Sequence, residues 1–154
     1  MIQMIVVSAL TLILDRVIKI VIDKYLILNV KNVVIDNFLY ITKCYNEGAA
    51  FNIFNGNTIF LICASIFALV MLFKYIKSNK LTTLNKISYG LLIGGIFGNL
   101  IDRIFLGHVI DYVNFIIFNH EFAIFNLADC AIVIGAILII LGDWGDKNAK
   151  RNNS

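Results

Sequence analysis

Residues 58–76 read TIFLICASIFALVMLFKYI, and this stretch decides the fold class. Its one charged residue, Lys74, stands close to the end of the run. Because a helix needs about 20 predominantly apolar residues to cross the hydrocarbon core of a bilayer, the stretch predicts a transmembrane helix. The composition agrees: 60% of the chain is hydrophobic and 15% is charged, whereas a soluble domain carries roughly 25% charged residues.

Three further windows approach the length of a membrane span: residues 2–22, 86–106 and 124–143. We therefore predict an all-α membrane protein with four transmembrane helices, forming one domain over residues 1–154. No Lys or Arg precedes the first apolar run, and charged residues follow it where a signal peptide would have a small-residue cleavage site. The first window is interpreted as a retained membrane helix.

Basic residues predict the orientation of the four helices. Around the connection between the second and third windows stand Lys74, Lys77, Lys80 and Lys86 without any acidic residue, and the C-terminal tail is also rich in Lys and Arg. Because Lys and Arg concentrate in cytoplasmic loops, both termini and the middle loop should be cytoplasmic. The two longer loops, at about 23–57 and 105–123, should then face outward.

Both outer loops contain stretches typical of β-strands. The first includes VVIDNFLYITKCY, rich in β-branched and aromatic residues, with Asp36-Asn37 as a turn. The second has a similar mixture that is interrupted by Gly107 and by Asn119-His120. These features predict a small extramembrane β-sheet on the outer face.

Polar residues at the third and first helices are candidates for function or for internal pairing. A helix places Asn99, Asp102 and Arg103 on neighbouring positions of one face, where they form either a functional group or a salt-bridged helix end. Asp15 and Lys19 are four residues apart and should form an ion pair. Upstream of Asn99, the glycines at positions 90, 94 and 98 should allow close helix packing.

Two further carboxyls, Asp111 and Asp129, could be brought together by a reversal of the chain between them. Two carboxyls in a site of low polarity cannot both ionise easily, so one retains a proton beside an ionised partner. Such a pair can take a proton from water and give one to a peptide carbonyl. Each aspartate alone could instead cap a helix or lie solvated at the interface. Spacing alone also leaves Asp102 as a possible catalytic carboxylate.

Several other classes of site find little support. The cysteines Cys44, Cys63 and Cys130 form no C-x-x-C pair, and His108 with Asp111 lacks the spacing of a zinc motif. We expect no metal and no cofactor. The net charge is +3 and no basic patch is interleaved with aromatic residues, so nucleic-acid binding is not expected. In NEGAAF, residues 46–51, Asn46 either belongs to a turn before the second helix or contacts a substrate.

Five blocks together carry a resemblance to a known family. They are DRVIK at 15–19, NEGAAF at 46–51, GGIFGNLIDR at 94–103, GHVIDY at 107–112 and FNLAD at 125–129. In this order and spacing the chain resembles the lipoprotein signal peptidases, the type II signal peptidases of bacteria, over essentially its full length.

The resemblance implies a function and a set of site residues. Asp111 and Asp129 would be the catalytic dyad of an aspartic endopeptidase. The residues expected to line the site or hold substrate are Asn46, Asn99, Arg103 and Asn126, supported by Asp15, Lys19 and Asp102. The enzyme would cleave diacylglyceryl-modified prolipoproteins before the lipidated cysteine, at the outer leaflet of the bacterial cytoplasmic membrane. Its partners would be these precursors and membrane lipids, and a monomer would suffice.

Two other functions remain as alternatives. An ion- or proton-translocating protein could use Asp15, Asp102 and Asp129 as relays, since ionisable residues within spans are functional candidates by default. It predicts polar groups spread across the bilayer, whereas the second window is almost entirely apolar. A purely structural subunit with glycine-packed helices has no use for so many polar residues at one depth.

Overall fold

The described part of the chain forms four long helices and a small sheet. The computed structural model describes residues 1–49, 54–118 and 120–152, with the side chains of these residues up to position 142. The elements in chain order are α1 (Ile2–Tyr25), β1 (Lys31–Ile35), β2 (Leu39–Asn46), α2 (Thr58–Ser78), α3 (Thr83–Leu106), β3 (Val109–Ile117), β4 (His120–Glu121) and α4 (Leu127–Asn152).

Each predicted membrane window lies largely within one helix, although the boundaries differ. Helix α3 begins earlier than predicted, at Thr83 rather than at residue 86, whereas α4 begins later, at Leu127 rather than at residue 124. Only the start of α4 is delayed. The reason is that the chain before it still pairs with β3: Phe125 exchanges backbone hydrogen bonds with Val113, at 3.0 and 2.8 Å. Sheet pairing therefore delays the start of the helix.

Helix α3 is the central helix, packed between α1 and α4. Its start is capped by Thr82, whose side chain accepts a hydrogen bond from the backbone N–H of Asn85 at 3.2 Å. Its end is set by Gly107, which adopts the left-handed conformation with φ of 79°. Glycine tolerates this conformation, so the predicted break at this position is confirmed.

The glycines of α3 allow both neighbouring helices to approach closely. A Cβ added at Gly94 would lie 2.7 Å from the carbonyl oxygen of Ser8 in α1. One added at Gly95 would lie 2.4 Å from the carbonyl oxygen of Ala128 in α4. Gly90 also faces α1, and Gly98 lies between Asp15 and Ala128. The predicted packing role of Gly90, Gly94 and Gly98 is confirmed, and Gly95 has the same role toward α4.

The sheet is antiparallel throughout, in the order β1-β2-β3-β4. The predicted turn at Asp36-Asn37 connects β1 to β2, and Asn37 has a positive φ of 55°. Strand β3 follows α3 directly and pairs with β2, so that Asp111 lies opposite Cys44 and Val109 opposite Asn46. Both loops that were predicted to face outward therefore contribute strands, as the sequence predicts, although Asn119 of the predicted reversal lies outside the described residues.

The helices differ in the length of their apolar stretches and in the apolar surface that they expose. Among the described helices, α2 and α3 are long and apolar enough to cross a membrane, and α4 has a shorter apolar stretch, Leu127–Gly142. Helix α1 nevertheless exposes many large apolar side chains along its outer face, including Ile13, Val17 and Ile20. Its charged residues Asp15 and Lys19 are instead buried, against the other helices.

Candidate active site

Asp111 lies near the start of β3 and is buried, with 3% of its surface exposed. Its Oδ2 accepts a hydrogen bond from Nδ2 of Asn46 at 2.8 Å, and its Oδ1 accepts one from Nδ2 of Asn126 at 2.7 Å. Asn46 is the last residue of β2, and Asn126 immediately precedes α4. Two amides from different elements therefore hold this carboxyl on both of its oxygens.

Asp129 lies in the first turn of α4 and is half-buried. Its Oδ1 accepts a hydrogen bond from Nδ2 of Asn99 at 2.7 Å, and its Oδ2 accepts one from the backbone N–H of Asn126 at 3.2 Å. In return, Oδ1 of Asn126 accepts a hydrogen bond from the backbone N–H of Asp129 at 2.9 Å. This reciprocal pair is the arrangement of a capping box, and it fixes both the start of α4 and the position of its carboxylate.

The two carboxyls share one network of amides. Asn126 Nδ2 donates to Asp111 and also to Oδ1 of Asn99, at 3.2 Å, while Asn99 donates to Asp129. Asn99 and Asn126 thereby connect the β3 carboxyl to the α4 carboxyl. The chain reversal predicted from the sequence brings Asp111 and Asp129 to one site.

The surroundings of Asp111 favour its protonated form. Burial raises the pKa of its carboxyl to about 7, and the negative charge of Asp129 acts in the same direction. The hydrogen bonds from Asn46 and Asn126 oppose this effect because they stabilise the ionised form. A carboxyl with this pKa can hold a proton near neutral pH and can also release it, as a general acid requires.

A cluster of four charged residues lies behind the amides. Lys19 Nζ lies 2.9 Å from Oδ2 of Asp15 and 2.8 Å from Oδ2 of Asp102, and Arg16 lies 2.5 Å from Oδ1 of Asp102. Asp15 and Asp102 are fully buried, and Lys19 is 1% exposed. The predicted Asp15–Lys19 pair is confirmed. Asp102 pairs with Lys19 and Arg16, so its carboxylate is already neutralised.

The cluster also touches the backbone of neighbouring elements. Asp15 Oδ1 accepts a hydrogen bond from the backbone N–H of Ala128 at 3.1 Å, and Asp102 Oδ2 accepts one from that of Ile110 at 3.4 Å. Ala128 and Ile110 directly precede Asp129 and Asp111 in the chain. The buried charges therefore hold both segments that carry the two carboxyls.

Arg103 lies apart from this cluster and contacts the chain after β2. Its guanidinium donates to the carbonyl oxygen of Gly48 at 2.8 Å, and the backbone N–H of Gly48 donates to Oδ1 of Asn46 at 2.9 Å. Its buried Nε has no hydrogen-bond partner among the described residues. A cationic side chain with a free donor therefore borders the site. Ala50 and Phe51 of the NEGAAF block lie outside the described residues.

An apolar cavity of about 540 Å³ opens onto the two carboxyls. Its polar end holds Asn46, Asn99, Arg103, Asp111 and Asp129, and its apolar lining comes mainly from residues 122–125 and 132–134. A second groove, of about 290 Å³, lies along α2 and is lined by Leu61, Ala64, Ser65 and Ala68. Asn99, Arg103 and Asp129 line both spaces, so the two grooves meet at Asp129, and Asp111 lines the larger one.

The structure brings all nine predicted site residues into two adjoining groups. Asn46, Asn99, Arg103, Asp111, Asn126 and Asp129 surround the carboxyl pair, and Asp15, Lys19 and Asp102 form the buried charge cluster behind it. No three His, Cys, Asp or Glu side chains among the described residues are grouped to hold a metal ion. His108 instead stacks on the ring of Tyr45, with ring centroids 4.0 Å apart.

Two contributing residues were missed in the sequence. Arg16 completes the charge cluster, and its position next to Asp15 in the DRVIK block was an available signal. Tyr112 is buried, and its hydroxyl accepts a hydrogen bond from the backbone N–H of Leu127 at 3.0 Å, which supports the start of α4. Burial raises the pKa of this phenol to about 12, so the hydroxyl stays neutral.

Comparison with known proteins identifies relatives of similar length. A family model described as signal peptidase (SPase) II matches residues 7–144. The lipoprotein signal peptidase of Staphylococcus carnosus (strain TM300) is 41% identical over 131 residues, which cover 84% of this chain and 82% of that protein.

Two solved structures, each described as a bacterial membrane enzyme, have similar folds. The one determined at 2.3 Å has a TM-score of 0.87 and 34% identity, covering 96% of this chain and 90% of its own. The one determined at 1.9 Å has a TM-score of 0.81 and 35% identity, covering 90% of each chain.

Proposed function

The chain belongs to the signal peptidase II family and removes signal peptides from prolipoproteins; we propose that it does so as an aspartic endopeptidase with Asp111 and Asp129 as its catalytic carboxyls. The observation that carries this proposal is the pair itself. A strand and a helix deliver two carboxyls to the polar end of an apolar cavity, where Asn99 and Asn126 connect them.

The reaction requires that the two carboxyls hold one proton between them, so that one acts as the acid and the other as the base. The ionised carboxylate takes a proton from a water molecule as the water oxygen attacks the carbonyl carbon of the scissile peptide. The protonated carboxyl, for which Asp111 is suited by its pKa of about 7, gives its proton to the carbonyl oxygen. When the tetrahedral intermediate breaks down, the carboxyl that took the proton from water gives it to the amide nitrogen, which leaves as the amine of the new N-terminus. The other carboxyl recovers its proton from a hydroxyl of the intermediate. The signal peptide leaves with a carboxyl group.

The lining of the site suits a lipid-modified substrate. The cavity along α4 and the groove along α2 are apolar, whereas their common end is polar. A diacylglyceryl-modified precursor has the same division, with apolar acyl chains and an apolar signal peptide joined at a polar peptide backbone. Arg103 and Asn46 lie where they can hydrogen-bond that backbone. We infer cleavage just before the lipidated cysteine, as the resemblance of the blocks implies.

The proposed setting is the bacterial cytoplasmic membrane, with all four helices spanning it as one domain over residues 1–154. Charged residues of α1 do not contradict a span, because Asp15 and Lys19 are buried against α3 and the outward face is apolar. The start of α2 and the end of α3 lie at one level, where Thr58 Oγ1 donates to the carbonyl oxygen of Gly107 at 3.0 Å. With cytoplasmic termini, the site lies at the outer leaflet. A monomer contains every residue that this mechanism uses.

Cleavage of a lipidated precursor in detergent, followed by gel shift, tests the catalytic assignment. Asp111→Asn and Asp129→Asn should each abolish turnover while the protein stays folded. Asp36→Asn is the matched control, since Asp36 is an exposed acid in the turn between β1 and β2 and its hydrogen bonds are to Asn37 and Tyr40, not to the site. Normal turnover in either of the first two variants would refute the dyad. Because the two carboxyls supply both acid and base, EDTA should leave turnover unchanged, and strong inhibition would revive a metal site.

The alternative of ion translocation receives no support from the charge cluster. Asp15 and Asp102, two of its three relay residues, are neutralised by Lys19 and Arg16. A proton-flux assay in liposomes separates the two functions, because flux without peptidase activity would favour transport.

A further inference from the structure

Among the described residues, Lys19 is the only member of the buried cluster that also hydrogen-bonds a side-chain amide of the active site. Its Nζ donates to Oδ1 of Asn99 at 3.0 Å, in addition to its ion pairs with Asp15 and Asp102. Asn99 in turn donates from Nδ2 to Asp129 at 2.7 Å. We propose that Lys19 is a positioning residue for catalysis, which fixes the orientation of the Asn99 amide and through it the carboxylate of Asp129. This inference rests on the proposed function of Asp129.

The chemistry of the ammonium group dictates the orientation. An ammonium has three donors and no acceptor, so it can be satisfied only by the oxygen of the Asn99 amide. Since that amide is planar, its nitrogen must then point to the opposite side, toward Asp129. In the flipped orientation Nδ2 would face the ammonium and Oδ1 would face the carboxylate, giving two repulsive contacts in place of two hydrogen bonds.

A second donor reinforces the same choice. Nδ2 of Asn126 lies 3.2 Å from the Asn99 oxygen. The orientation of Asn126 is itself set by the backbone, because its Oδ1 accepts from the backbone N–H of Asp129. Asn126 alone is a neutral donor shared with Asp111, whereas Lys19 is a fully buried cation that uses its third proton on Asn99 alone. The stronger constraint on the amide is therefore the charge-assisted bond from Lys19.

The ammonium of Lys19 is held in position by groups other than the Asn99 amide. Asp15 and Asp102 hold the ammonium from two sides at 2.9 and 2.8 Å, and Arg16 balances the second carboxylate. The three acceptors of Lys19 account for its three protons. The cluster is therefore more than a packing device between α1 and α3, because it delivers one directed donor to the active site.

The test must separate this role from the stability of the cluster. Replacing Lys19 alone would leave two buried carboxylates facing one arginine, which is strongly destabilising. The experiment therefore uses Asp15→Asn as its background, so that Lys19→Met leaves Arg16 facing Asp102 alone. Asp102→Asn provides a second charge-matched background if the first yields too little folded enzyme.

A double-mutant cycle of Lys19→Met and Asn99→Ala in that background measures whether the two residues act together. We expect Lys19→Met to lower kcat by about tenfold or more, since a misplaced catalytic group costs up to about 100-fold, with KM nearly unchanged. In the presence of Asn99→Ala, the same substitution should have little further effect on kcat. Equal losses with and without Asn99, or no loss in either case, would overturn the proposal.

Lys19→Arg in the same background gives a measurement that does not depend on turnover by the Asn99 variant. Arginine keeps the charge and the donors, so it should retain more kcat than methionine, which matches lysine in length but donates nothing. Equal kcat for the arginine and methionine variants would show that Lys19 only fills space.

The matched control removes another lysine–aspartate pair. Lys43 lies 3.0 Å from Oδ1 of Asp23 and, within the described parts of the chain, is not bonded to the amide network, so Lys43→Met with Asp23→Asn should keep kcat close to the parent value. A large loss of kcat in this control would mean that removing a lysine–aspartate pair lowers kcat in general, whether or not the lysine contacts Asn99. Failure of the positioning role is distinguishable from failure of the dyad, because an active Asp129→Asn enzyme refutes the dyad, whereas an inactive one beside an additive cycle refutes only the role of Lys19.

Discussion

The close contact at Gly95 predicts that a single methyl group will displace the carboxylate of Asp129, one of the two proposed catalytic groups. In Gly95→Ala the new Cβ would lie 2.4 Å from the carbonyl oxygen of Ala128 and 2.8 Å from Cγ1 of Ile132, both in α4. An ordinary contact begins at 3.4 Å, so the start of α4 must move away from α3 by about 1 Å. Because the obstacle is backbone, no side-chain rotation can relieve it.

The displaced segment is the one that carries Asp129. Asn99 of α3 now donates to Asp129 at 2.7 Å, and a movement of this size would break that hydrogen bond. A misplacement of about 1 Å can lower the rate by about 100-fold, and overpacking of this kind typically costs about 1–3 kcal/mol of stability. We therefore expect kcat for a lipidated precursor to fall by about 100-fold in Gly95→Ala, measured on folded enzyme in detergent at saturating substrate.

Gly90→Ala is the matched control for this prediction. Its Cβ would lie 2.8 Å from the carbonyl oxygen of Met4 and 2.7 Å from Cβ of Val7, so it overpacks the same helix against α1, far from the start of α4. Thermal unfolding should show a comparable loss of stability in both variants, with a large loss of kcat in Gly95→Ala only. Equal effects of the two glycines on kcat, or a fully active Gly95→Ala enzyme, would refute the reasoning.

Three further predictions concern single residues. The pKa of Asp111 is about 7 in the folded protein against 3.8 as the ordinary value, so its contribution to stability is present below about pH 4 and is lost as the pH rises through about 7. Since Asp111→Asn cannot ionise, its Tm should improve relative to the parent between about pH 4 and pH 8; a constant difference would contradict the pKa. Asn46→Ala removes a donor to ionised Asp111, which raises the pKa of that carboxyl further. The basic limb of the pH profile of kcat should therefore move to higher pH. If it does not move, Asn46 has no influence on the pKa of the proposed dyad. Thr42→Val should raise Tm, because the buried hydroxyl of Thr42 has no partner in the described chain and an unpaired group costs about 1–3 kcal/mol; a clear fall in Tm would indicate that the hydroxyl is satisfied.

The helices were predictable because the length and the apolar composition that a bilayer span needs are properties of a local stretch of sequence. Short-range pairs were also accessible: Asp15 and Lys19 are four apart, and Asn126 and Asp129 are three apart. The start of α4 was misplaced because pairing with β3 competes with helix formation before Leu127. That competition depends on a partner strand elsewhere in the chain, so the hydrophobic pattern before Leu127 does not reveal it.

The contacts that complete the site were not predictable from spacing. Asn46 and Asp111 are 65 residues apart, and Lys19 and Asn99 are 80 apart. Such pairs exist only once α1, α3 and the sheet have assembled. The ambiguity between Asp102 and Asp111 had the same origin, since only the tertiary structure shows that Asp102 is already paired with Lys19 and Arg16.

The hydrogen-bonded chain from Lys19 through Asn99 and Asn126 to Asp111 and Asn46 joins α1, α3, β2, β3 and the segment that begins α4. The site therefore has no precursor during synthesis: a chain interrupted before residue 126 would lack the amide that joins the two carboxyls as well as one of the carboxyls. Turnover consequently reports on the completed assembly of the first, third and last helices with the sheet. Catalytic activity can serve as a readout of insertion and folding of this chain in a membrane, with partly assembled molecules contributing no signal.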